Sequence, residues 1–159
     1  MNKYISVLLV LTDGRNKGKI AFQKRSSRDS FPFVCQGTWA GKVEAKEKIT
    51  DTIKRECLEE LGEKFYSEFN FSDLELIEET QSALSTKEWF GSHYQGFVSQ
   101  TLLAKAQLHK KAFSEFTFIG DKDVIYPMNS KKDPQKHLVL FSDQYQVVKN
   151  FFNATKRNK

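Results

Sequence analysis

Glu56, Glu59 and Glu60 recur at i, i+3 and i+4, with Arg55 directly before them. On a wheel of about 100° per residue these carboxylates gather along one edge of a helix. Like charges so placed repel by roughly 0.2–0.5 kcal/mol per pair, so a positive group should offset them. Oxygen ligands around an open position suit Mg²⁺, which takes one or two carboxylates together with substrate phosphate oxygens and water. The plain alternative is a solvated acidic face, since glutamate is a good helix former.

The element that must carry them is a helix ending at Gly62. Ile49, Ile53, Cys57 and Leu61 recur every four residues, with Leu58 on the same side, and Gly62 supplies the stop. The stretch Gly41 to Gly62 organises the rest of the chain.

Gly41, Glu47, Arg55, Glu56, Glu59, Glu60 and Gly62 follow the spacing G-x5-E-x7-R-E-U-x-E-E-x-G. Seven such positions coincide by chance on the order of once in 10⁸ windows. In this the chain resembles the Nudix hydrolases, whose signature box has that spacing. The last box residue is normally apolar and here is Glu63, past the helix stop. The resemblance implies an α/β/α sandwich with a mixed central sheet. It also implies cleavage of a diphosphate bond in a nucleoside diphosphate derivative or similar small diphosphate. It assigns metal binding to Glu56, Glu59 and Glu60, with Mg²⁺ or Mn²⁺ as the cofactor. Arg55 is expected to orient Glu59, and Glu47 to join that network. Gly41, and Ala40 where the family usually has a second Gly, are expected to turn backbone carbonyls toward the metal. For the general base the resemblance leaves a box glutamate or a later acid open, with Glu115 ahead of Asp121 and Asp123. Lys24 and Arg25 are candidate phosphate contacts. Trp39, Trp89, Phe90 and Tyr94 are candidate ring platforms.

Gln23–Ser26, Phe31-Pro32 and Ala40–Ala45 add a weaker similarity to the isopentenyl-diphosphate isomerase branch. That isomerase needs a cysteine and a histidine flanking the motif glycine, where this chain has Ala40 and Lys42. The departure favours hydrolysis over isomerase chemistry. A Nudix-fold nucleotide-binding module without turnover is the other alternative, and the intact glutamates argue against it. His93, His109 and His137 share no ligand spacing and read as surface residues.

A length of 159 residues fits one domain, taken as residues 1–153 with a polar tail at 154–159. The net charge of +5 suits a polyanionic substrate near an acidic metal site better than nucleic acid, because Lys and Arg are spread along the chain. Cys35 and Cys57 are too few for a disulfide framework and read as packed thiols. No leader or membrane span is apparent, so a cytoplasmic protein is expected, with a homodimer left open.

Along the chain, Lys3–Thr12 and Lys19–Lys24 read as a strand hairpin across the Asp13-Gly14 and Asn16–Gly18 turn residues. Arg25–Thr38 reads as a loop. Leu74–Ala83 and Trp89–Leu103 read as paired strands with a turn within Leu84–Gly91. Leu108–Ala112 reads as a loop and Phe113–Ile119 as a strand. Ser142–Phe152 reads as a helix, capped by Ser142-Asp143.

Overall fold

The computed structural model describes residues 2–84, 87–108 and 113–157. Its centre is β1 (Asn2–Leu11), an apolar strand whose alternating side chains serve two cores. Ile5, Val7, Leu9 and Leu11 pack on one face, with Ile53, Cys57, Leu61 and Phe65 of helix α1 (Ile49–Glu68). Leu8 and Val10 pack on the other, with Val147, Val148 and Phe152 of helix α3 (Ser142–Arg157). The result is a mixed sheet between helices, the expected α/β architecture.

On one side β1 pairs in parallel with β6 (Lys87–Val98) along its whole length, and β6 pairs antiparallel with the edge strand β5 (Glu75–Leu84). On the other side β1 changes partner. Tyr4–Val7 pair with β4 (Trp39–Lys42), and Leu9 and Val10 pair with β2 (Ile20–Arg25). Beyond β2 lie β3 (Cys35–Gln36), β9 (Leu138–Leu140) and β8 (Ile125–Pro127), while β7 (Phe113–Ile119) also pairs with β2.

Thr38 fills the fork between β2 and β4. Its N–H donates to Val7 O at 2.8 Å, and its Oγ1 accepts from Leu9 N at 2.9 Å and donates to Ala21 O at 2.6 Å. One buried side chain thus carries the hydrogen-bond ladder across the break. The divergence of β2 from β4 leaves a cleft at this end of the sheet.

Several boundaries differ from the sequence reading. Gly62 does leave the helical path, at φ 84° and ψ 169°, but the chain resumes helical turns to Glu68. Leu61 O, freed at the break, accepts from Gln107 N at 2.8 Å. Leu58 is not on the packed side: it is 43% exposed, whereas Glu60 is 8% exposed. The stripe centres between Ile53 and Cys57, and Leu58 lies about 100° from Cys57 against about 60° for Glu60.

β6 stops at Val98, because Ser99 Oγ accepts from Leu102 N and starts the short helix α2 (Gln100–Leu103). β3 interrupts the expected loop 25–38, and β8 and β9 are too short to show a pattern. Helix α3 runs on through the polar residues to Arg157. Residues 85–86, within the span where a turn is expected, and residues 109–112, His109 among them, lie outside the described residues. No described helix is long and apolar enough to cross a membrane.

Candidate active site

Trp39 sets the distance between α1 and β4. It is fully buried, its Nε1 donates to Ile53 O of α1 at 2.9 Å, and its ring meets Phe65, Phe69 and Phe71 edge-on. It is therefore a core anchor, not a ring platform. Packed this way, α1 directs Glu56, Glu59 and Glu60 into a cleft of about 690 Å³ whose wall also includes Ala40, Gly41 and Lys42 of β4.

Gly41 lies so close to α1 that a Cβ would stand 2.1 Å from Cδ of Glu56 and 2.3 Å from its Oε1. The glycine makes room for that carboxylate. Gly41→Ala is expected to displace Glu56 and to lower kcat/KM about a hundredfold, the usual scale for a misplacement near 1 Å. Steady-state kinetics, with circular dichroism to check folding, measures this; unchanged kinetics would contradict the placement.

Arg55 holds the acidic group together. Its Nε and Nη2 grip Glu47 at 2.8 and 2.9 Å, its Nη1 reaches Glu56 at 2.8 Å, and Nη2 also donates to Lys42 O at 2.9 Å. Glu59 was its expected partner, yet that contact is the longest at 3.5 Å, with the Glu59 side chain 58% exposed. The Arg55 fork, with a further bond from Thr52 Oγ1, holds the Glu47 carboxyl down to about 2.

Glu60 is buried and has no basic partner among the described residues. Its Oε1 accepts from Gln23 Nε2 and Gln36 Nε2, each at 3.3 Å, and its Oε2 accepts from Ala40 N at 3.2 Å. Burial and the neighbouring Glu56 push its carboxyl well above the usual range. Burial also raises Glu56, against the opposing pull of Arg55. Gln23 Oε1 is left buried without a hydrogen-bond partner among the described residues. Crowded carboxylates, one of them buried without a counter-charge, beside a glycine that leaves backbone open, form a donor set that fits a hard divalent cation. Among the described residues no three such side chains already close around a single point.

The remaining candidates divide. Arg25 lines the cleft but is occupied by Asp29, Ser30 O and Gln36, with its guanidinium over Phe141. Lys24 is not among the cleft-lining residues. It stands between Cys35 and Glu115 in the register, with its ammonium over Phe33. Glu115 is exposed on β7 and is likewise not brought to the glutamates. Strand alternation accounts for both: Gln23 faces Glu60, so Lys24 and its neighbour Glu115 face away. Asp123 accepts from Gly120 N in a turn, and Asp121 is exposed. Trp89 lines the cleft, Tyr94 packs against the α1-side core, and Phe90 is half-buried without lining the cleft. Both cysteines are free and buried, with Cys35 pushed up to about 11 by burial.

Sequence reading missed Gln23, Gln36, Tyr4, Phe141, Asp143 and Gln144 at the site. Polar and aromatic residues scattered over four elements and the β9–α3 connection carry no spacing signal. It also misplaced His93, which is fully buried rather than on the surface. Its Nδ1 bonds Ser6 Oγ at 2.6 Å and its Nε2 bonds Thr80 Oγ1 at 2.7 Å. Burial lowers its pKa to about 4.

Between about 4 and an unfolded value near 6.5, the unfolded chain binds a proton that the folded one excludes. This contribution to stability is therefore complete above pH 6.5 and is lost as pH falls toward 4. Urea unfolding of His93→Gln is expected to show a slope of stability against pH shallower by up to about 1.4 kcal/mol per unit in that window. Equal slopes would contradict a neutral buried imidazole.

The fold and the family are shown by comparison with known proteins. The solved structures similar to this fold include a MutT/nudix family protein from Enterococcus faecalis, with 15% identity and a TM-score of 0.57 over 74% of this chain. An Ap4A hydrolase of C. elegans in a binary complex follows, with 13% identity and a TM-score of 0.55 over 76% of this chain. The MutT protein of Methanosarcina mazei Go1 has 18% identity and a TM-score of 0.55 over 74%. The chain spans 42% of the Enterococcus protein's length, and 80% and 75% of the other two. At these identities the likeness is one of fold. A search of curated proteins finds no match. A NUDIX domain family model matches residues 3–119, a span that holds the forked sheet, the glycine on β4 and the glutamates of α1. With that match over most of its length, the chain belongs to the Nudix family.

Proposed function

We propose that the protein is a divalent-cation-dependent pyrophosphohydrolase, using Mg²⁺ or Mn²⁺ to cleave a diphosphate bond in a nucleoside diphosphate derivative. The observation that carries this reading is the meeting of Glu56, Glu59 and Glu60 with Gly41 in one cleft, Glu60 lacking any basic partner among the described residues.

The bound cation would screen the phosphate oxygens and lower the pKa of water. The chain's own residues do the rest. Gln23, Gln36 and the Ala40 amide fix the Glu60 carboxylate on the cleft floor. Arg55, braced by Glu47 and Lys42 O, fixes Glu56 and leaves Glu59 loosely held. Glu56, Glu59 and Glu60 would hold the cation, with the Ala40 and Gly41 backbone beside them. Glu59, the most exposed of the three, is also the carboxylate best placed to accept the proton of an attacking water. The overall charge of +5 favours encounter with a polyanion.

The test is a panel of nucleoside diphosphate derivatives incubated with Mg²⁺ or Mn²⁺ in ¹⁸O-labelled water, with the products identified by mass. Cation-dependent cleavage with label on one phosphate is expected, and it identifies the phosphorus attacked. Absence of cleavage across the panel with either cation would overturn the reading.

A further inference from the structure

Two glutamine amides serve one carboxylate oxygen of Glu60, and they are held in different ways. Gln23 Nε2 also donates to Thr38 O at 2.6 Å, so backbone fixes which end of that amide faces Glu60. Gln36 has no such carbonyl among the described residues. Its Nε2 donates to Glu60 Oε1 at 3.3 Å, and its Oε1 accepts from Arg25 Nη1 at 3.0 Å. The other carboxyl beside Glu60 is Glu56, which would share the cation.

The Arg25 guanidinium is nearly filled. Its Nε donates to Ser30 O at 2.9 Å, and its Nη2 to Asp29 Oδ1 at 2.5 Å and Ser30 Oγ at 3.4 Å. With the bond to Gln36, four of its five N–H groups are engaged. The loop closes on itself around it: Arg25 N donates to Val34 O at 3.1 Å, and Phe33 N to Arg25 O at 3.0 Å. Phe31 and Phe33 are held at φ 56° and 65°, a costly backbone that persists only where surrounding contacts impose it. A phosphate could take the guanidinium fork only by displacing Asp29 from this closed loop.

The hydrogen-bond chain runs one way. A charged donor draws the Gln36 carbonyl oxygen strongly, and an amide polarised at that end donates more strongly through its N–H. Gln36 is 7% exposed and Glu60 8%, so water competes little for the bond between them.

We infer that Arg25 is a positioning residue and not a phosphate contact: through Gln36 it sets the Glu60 carboxylate. This inference rests on the reading of Glu60 as a cation ligand given above.

Mn²⁺ titration with no phosphate compound present separates the possible roles by sign. Loss of the Arg25 charge alone leaves the cleft more negative and would tighten Mn²⁺. Loss of a phosphate contact would leave Mn²⁺ binding unchanged. Loss of the hold on Glu60 weakens it. Gln36→Leu is expected to bind Mn²⁺ about tenfold more weakly, the lower end of the range for partners of metal ligands. Arg25→Met keeps the aliphatic stem beside Phe141 and is expected to lose about fivefold. The double variant should match Gln36→Leu within about twofold, because Arg25 acts only through that amide. Arg25→Lys, which keeps the charge but not the fork, should lie between Arg25→Met and wild type, and it replaces Arg25→Met if that variant does not fold. Mn²⁺ binding by the Arg25 variant as tight as wild type or tighter, or losses that add in the double variant, would overturn the inference.

A second readout needs no cation. In ¹⁵N spectra of the metal-free protein, the Gln36 Nε2 protons are the pair missing from Gln36→Leu. They are expected to exchange with solvent about tenfold faster in the Arg25 variant. Equal exchange would overturn the inference. If the wild-type chain bound no Mn²⁺, the cation reading would fall, and this exchange would still decide whether Arg25 holds Gln36 on Glu60.

Discussion

Glu59→Gln is expected to lower cation-dependent kcat/KM on the order of a thousandfold while leaving the fold intact. The side chain is 58% exposed and its one ion pair, with Arg55, is long at 3.5 Å, so little stability rests on it. Glutamine keeps its size but not its charge. A metal in such a site supplies several kcal/mol of transition-state charge stabilisation, and each factor of ten in rate is about 1.4 kcal/mol. Glu63→Gln is the matched control, because Glu63 is past the Gly62 break and is not among the cleft-lining residues. Initial rates on the best substrate of the panel decide it. Equal rates in both variants would remove Glu59 from the chemistry.

Trp39→Ala is the second large effect, this time on stability. The indole is fully buried, makes three edge-on aromatic contacts and satisfies Ile53 O inside α1. Truncating such a residue costs about 3–5 kcal/mol through lost burial and the cavity left behind. The variant's thermal midpoint should fall by about ten degrees, since about 1 kcal/mol moves the midpoint of a domain this size by about 2–4 degrees. Differential scanning calorimetry measures it. Because Trp39 spaces β4 from α1, whatever folds should also bind Mn²⁺ less well. A midpoint within two or three degrees of wild type would show that the indole is not the anchor described.

The parts of this architecture that were readable in advance are those with dense local repetition. β1 declares itself by a run of Ile, Val and Leu, and α1 by an apolar residue every four positions with the glutamates alongside. The Gly41 to Gly62 spacing survives any loop change because it reports one short, contiguous piece of geometry. Readability ended where function depends on long-range packing. Nothing local marks Gln23 or Gln36 as amides for Glu60, since their meeting requires β2, β3 and α1 to converge. His93 resembled a surface residue until β6 was laid in parallel beside β1, which put it against Ser6. Glu115 was drawn in by its distance from the box along the chain. The pairing Lys24↔Glu115 then shows that distance along a chain does not choose a face of the sheet. Leu58 and Glu60 exchanged expected roles because a helix wheel gives angular order but not which angle faces the sheet.

The claim beneath all of this is that the α1 glutamates bind a divalent cation against phosphate. Titration of the protein with Mn²⁺, followed by electron paramagnetic resonance, measures that binding without any turnover. The wild-type chain should remove free Mn²⁺ signal stoichiometrically, more tightly when a methylene-bridged diphosphate is present. Glu56→Gln, Glu59→Gln and Glu60→Gln should each weaken binding tenfold or more, on the scale of a lost metal contact. Mn²⁺ binding that is absent from the wild-type chain, or unchanged by all three substitutions, would contradict the account.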